Sequence, residues 1–137
     1  MPLSAPRDTP MVDGDFRSIG VAANAVIYAG ALVCQNAAGF AVPGATAANL
    51  VALGRAEESV VGGATNGAVA VRVRTGNFRF RNSGGGDAIT IANRGSDCFV
   101  VDDEQVALTN GGNTRSRAGV IHDVDAQGVW VRIGRRA

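Results

Sequence analysis

The sequence predicts an all-β fold, a small antiparallel sandwich or barrel in a single domain. Three observations lead there. Apolar and polar residues alternate with period two, most clearly where Val69, Val71 and Val73 are separated by Ala70 and Arg72. Nineteen glycines cut the chain into short runs bounded by turn formers. No segment sustains a helical stripe over three turns, so nothing is available to cross between parallel strands. Composition agrees. Aromatic residues are 5% of the chain, and much of the 46% apolar share is Ala and Val. A core of such small pieces suits thin sheet layers. A chain of 137 residues is expected to bury one core.

Residues 1–18 read as an extended arm and residues 19–137 as the β domain. Pro2, Pro6 and Pro10 remove backbone donors and block helix. An arm of this kind drapes over its own domain or orders against a neighbour. The prolines, with Arg7 and Asp8, also do not read as a signal peptide.

Residues 25–29 and 31–35 are apolar runs split by Gly30. Asn36-Ala-Ala-Gly39 is a tight turn, and residues 40–42 return before Pro43, which is a hairpin signature. Residues 45–49, rich in Ala, are expected to form one helical turn. A strand follows within residues 50–61, and residues 62–67 are loop.

Residues 68–82 are the most informative. The inward valines of residues 69–73 are odd-numbered, whereas Phe78 and Phe80 are even-numbered and alternate with Arg79 and Arg81. A continuous strand places the two sets on opposite faces. A bulge or tight turn at residues 75–77 brings both sets to the core and leaves Arg72, Arg74, Arg79 and Arg81 outside. Further strands are expected at residues 88–92, 99–101 and 106–109. Residues 118–124 and 129–133 form a last hairpin, with Gly128 supplying a left-handed position.

The chain is poor in groups for chemistry. His122 is the single histidine. A nucleophile site would need it beside Cys34 or Cys98 with an orienting carboxylate, and the spacing does not support one. Asp123 with Asp125, and the run Asp102, Asp103, Glu104, lack the ligand pattern of a calcium loop and read as turn formers. Two cysteines and one histidine, widely spaced, do not make a zinc site. The cysteines read as free thiols. Gly84-Gly85-Gly86 has no following Lys-Ser/Thr and is a hairpin loop rather than a phosphate cradle. No catalytic, cofactor or metal residue is assigned.

Net charge is +1, which favours neither nucleic acid nor a membrane. All 13 basic residues are Arg, the cation best suited to planar contacts with partner carboxylates. The candidate protein-interface residues are therefore Arg72, Arg74, Arg79 and Arg81, with Pro6, Arg7 and Pro10 of the arm. A solvated sheet face is the competing reading of the four strand arginines.

Several strings follow one another in order. They are Gly67-Ala-Val-Ala-Val-Arg-Val-Arg-Thr-Gly76, Phe78-Arg-Phe-Arg-Asn-Ser83 and Asp87-Ala-Ile-Thr90, then Cys98-Phe-Val-Val-Asp-Asp103, Thr114-Arg-Ser-Arg-Ala-Gly119 and Asp123-Val-Asp-Ala-Gln-Gly-Val-Trp-Val-Arg132. Strings of this kind in this order resemble the small cement, or decoration, proteins of tailed-phage heads. The resemblance covers about half the chain closely and residues 31–58 more loosely. It implies a jelly-roll-like or β-tulip fold and a non-enzymatic protein on the outer capsid surface, made in the host cytoplasm. It also implies the major capsid protein as partner, and a homo-oligomer, a dimer before a trimer. No cofactor, nucleic acid or membrane is implied.

Two other function classes are set beside this. A carbohydrate- or host-surface-binding β module of a phage particle rests on fold analogy, with Trp130 and Tyr28 as the obvious aromatic platforms. A small enzyme is disfavoured by the lone histidine.

Overall fold

The computed structural model describes residues 5–7 and 15–134. Twelve short strands occupy the described residues, and every strand pair among them is antiparallel. They form an all-β sandwich of two five-stranded sheets with a two-stranded pair added.

The first sheet contains β1 (Phe16–Gly20), β3 (Leu32–Gln35), β4 (Ala41–Pro43), β5 (Val51–Ala56) and β7 (Ala70–Arg74), in the order β1-β7-β5-β3-β4. The second contains β8 (Gly76–Phe80), β9 (Asp97–Val100), β10 (Val106–Ala107), β11 (Arg117–Asp125) and β12 (Gly128–Ile133), in the order β10-β9-β11-β12-β8. The pair is β2 (Val26–Ile27) with β6 (Val60–Val61). A bridge between Arg81 and Gln105 brings the two edges of the second sheet together at one end.

The parity break at residues 75–77 is a change of sheet. The chain leaves the first sheet at Arg74 and enters the second at Gly76, whose φ of 149° suits glycine. Val71, Val73, Phe78 and Phe80 are all buried, and Arg72, Arg74, Arg79 and Arg81, which alternate with them, are all exposed. The expected inward placement holds, and a corner between sheets achieves it.

The apolar side chains divide into two clusters, where one core was expected. Leu32 and Cys34 point toward the second sheet and pack with Phe78, Phe80, Cys98, Val100, Ile121 and Val131. Val33, between them, points the other way and packs with Val21, Ile27, Leu53, Val71 and Val73. The first sheet is thus apolar on both faces across β3, β4 and β5, while β7 turns Arg72 and Arg74 outward on one of them. Ile27 and Val60 of the β2–β6 pair join the second cluster. A strand buried on both faces reads as a continuous apolar run, and Leu32-Val-Cys34 is one.

Three local expectations change. The arm was expected to run to residue 18, but Phe16–Gly20 pairs along β7 from Arg74 to Ala70. Its alternation, with Ile19 against Val71, makes it a strand; residues 1–4 and 8–14 lie outside the described residues. Residues 45–49 form no helix, and Asn49 there takes a φ of 68° that no helix allows. Residues 88–92 form no strand. The Asn82 side chain satisfies both backbone groups of Ile89, at 2.8 and 2.9 Å, and a 3-10 turn (Ile91–Asn93) follows. An amide side chain has replaced the neighbouring strand that this segment would have needed.

Candidate functional site

The arginines singled out in the sequence are brought together in pairs, two on each sheet. β7 presents Arg72 and Arg74. Their guanidinium groups lie 4.8 and 4.4 Å from the centre of the Phe16 ring on β1, which they clasp. Arg55 stands directly across from Arg74 in the β5–β7 register. Arg55 and Arg74 share one carboxylate, Glu57, at 2.8 and 3.9 Å. The Arg55 guanidinium also lies 4.6 Å from the centre of the Phe78 ring, across the gap to the second sheet. The sequence reading missed Arg55, since it follows Gly54 and a register shift in the β3–β5 pairing obscures its face.

β8 presents Arg79 and Arg81. Arg81 is held by Glu104 at 2.8 Å. Arg79 has no carboxylate within ion-pair distance among the described residues, and its guanidinium lies 5.7 Å from the Trp130 ring. The indole N–H of Trp130 donates to Asp125 at 2.9 Å, which fixes the ring on the outer face of the second sheet. That bond, with backbone N–H groups of Gln127 and Gly128, holds the Asp125 carboxyl below the usual carboxylate range. The four arginines do not form one face, because the change of sheet at residue 75 assigns them to different layers. Of the arm residues, Pro6 and Arg7 are exposed, and Pro10 lies outside the described residues.

Two clefts adjoin at Asn77. One, of about 280 Å³, is lined by Gly30, Arg55, Phe78, Arg79 and Trp130 among others. The second, of about 490 Å³, includes Asp15, His122 and Arg132. His122 sits where the β11–β12 register shifts between Ile121 and Asp123, and it is exposed.

Cys34 and Cys98 are free and buried in the first cluster. Burial pushes both thiols up to about 12. Nucleophilic attack needs the thiolate, so these thiols are inert in the folded chain, and His122 is on the surface while they are inside. The acidic groups have local duties. Asp123 lies 3.6 Å from Arg94. Asp102 accepts the Glu104 N–H. Burial, then the charge of Asp102, pushes Asp103 above the usual carboxylate range. Among the described residues no three of His, Cys, Asp and Glu gather where a metal ion could be held.

Comparison with protein-family models, with curated proteins and with solved structures finds no match to this chain.

Proposed function

We propose that this chain is a capsid decoration protein, binding the outer surface of a tailed-phage head and stabilising the lattice of its major capsid protein. The observation that carries the reading is the ordered set of strings between Gly67 and Arg132. Each is turn-and-strand chemistry alone, and their order gives the specificity. The surface is compatible with the role. Exposed arginines backed by aromatic rings at Phe16 and Trp130, and the half-buried Arg55 at Phe78, suit contacts to a partner protein. A decoration protein binds many equivalent positions, so modest contacts repeated over a lattice are sufficient when copies are linked as an oligomer.

The test is co-sedimentation of the purified chain with empty, expanded shells of the major capsid protein from the same genome. The expected result is saturable pelleting with the shells and a higher temperature of shell disruption. Failure of both to occur overturns the reading.

A further inference from the structure

Among the described residues the second sheet ends in an edge that no strand covers, and its chemistry points to what pairs there. β8 is the terminal strand, bonded on one side to β12. Just past its end, Arg81 uses both backbone groups on the other side. Its N–H donates to the Glu104 carbonyl at 2.7 Å, and its carbonyl accepts from the Val106 N–H at 3.0 Å. Backbone groups along a strand alternate sides with period two. The N–H and C=O of Arg79 and Asn77 therefore point toward the same edge as those of Arg81. Among the described residues no backbone group pairs with them there.

Beside this strand lies the cleft of about 280 Å³, lined by Asn77, Phe78, Arg79 and Phe80 of β8, by Arg55 of the first sheet and by Trp130 of β12. Arg79 lacks an ion-pair partner among the described residues, and Arg55 shares its carboxylate with Arg74. The edge thus offers backbone donors and acceptors that are unpaired among the described residues, near two guanidinium groups, of which Arg55 shares Glu57 with Arg74 and Arg79 interacts at longer range with Asp125. A second copy of β8 fits poorly, because pairing edge to edge sets arginine near arginine. An acidic strand meets attraction at the same positions.

We propose that the open edge of β8 takes an extended acidic segment of a partner protein as an added strand. Backbone bonds to Asn77 and Arg79 hold it, and its carboxylates meet Arg79 and Arg55. The proposal rests on the capsid reading only for the partner's identity, which would then be the shell protein.

The experiment is fluorescence anisotropy of the full chain with a labelled synthetic peptide of alternating Glu and Thr. Saturable binding that weakens with added salt is expected. Arg79→Gln should weaken it about tenfold, the loss of one charge-assisted contact. Asn77→Pro removes an edge donor without changing charge and should abolish it, with the heat-unfolding midpoint of each variant read alongside. The same peptide N-methylated at alternate residues should fail to bind wild type, which decides the matter even where Asn77→Pro does not fold. No binding of the parent peptide overturns the proposal. So does equal binding of the N-methylated peptide, or competition by heparin that Asn77→Pro leaves unchanged, since either makes the surface a general anion site. Shell co-sedimentation is scored separately. Shells bound without peptide binding overturn the edge and keep the capsid reading; peptide bound without shells does the reverse.

Discussion

Gly128 begins β12 with a φ of 155°, and a Cβ placed on it would stand 2.3 Å from the Phe80 carbonyl oxygen. Two constraints meet at this residue. The Asp125 carboxylate pulls the backbone N–H groups of Gln127 and Gly128 together to close the hairpin, at 2.8 and 3.1 Å. The neighbouring β8 then passes so near that no side chain fits. The sequence reading assigned Gly128 to the hairpin turn through its backbone freedom. The closer reason is the approach of β8, which comes from the other side of the sheet and leaves no local mark in the sequence. Gly128→Ala is expected to cost about 1–3 kcal/mol for the backbone conformation alone. The denaturant midpoint, measured against wild type, checks this, and an unchanged midpoint would show that β8 can retreat without loss.

Ser116 joins elements that share no sheet. Its hydroxyl donates to the Ala47 carbonyl at 2.7 Å and accepts the Leu50 N–H at 2.9 Å, so the loop before β5 is fastened to the start of β11. It is the buried polar residue among the described ones, 7% exposed. Ser116→Ala leaves both backbone groups without that partner, at a cost of about 1–3 kcal/mol. Hydrogen exchange should rise at Leu50 more than at Val131, which separates a loosened loop from a weakened sheet. The same bond explains why residues 45–49 were misread. Their alanines favour a helical turn, yet the loop conforms to a partner 66 residues away at Leu50. The reading of residues 88–92 failed similarly, since one buried Ile89 held by Asn82 imitates half a strand. By contrast, β7, β8 and β12 were legible, because each has one apolar face and period-two alternation survives in it, whereas two register shifts break the alternation of β11. The pairing of the arginines was not legible. Parity shows that residues 75–77 are irregular, and it cannot tell a bulge within one sheet from a passage between two.

At the scale of the molecule, the first sheet lies between two apolar clusters, and small Val, Ala and Cys side chains let the layers approach. Cys34 and Cys98 belong to that packing, so their ionisation is tied to folding as a whole. The folded chain holds both thiol protons up to about pH 12, whereas the ordinary thiol value is 9.0. Between those values the native state binds more protons than the unfolded state, so stability falls as pH rises; below about 9 the contribution is complete. The slope is about 1.4 kcal/mol per pH unit for each thiol that stays protonated. The chain has no lysine to titrate in this window. Urea midpoints taken from pH 8 to 11 should therefore decline in the wild type and decline less steeply in the Cys34→Ala, Cys98→Ala double variant, whatever its starting stability. Thiol labelling at pH 8 should likewise wait for unfolding. Equal slopes in the two proteins, or rapid labelling of the native chain, would mean that the first cluster opens to water around these residues without the rest of the sandwich coming apart.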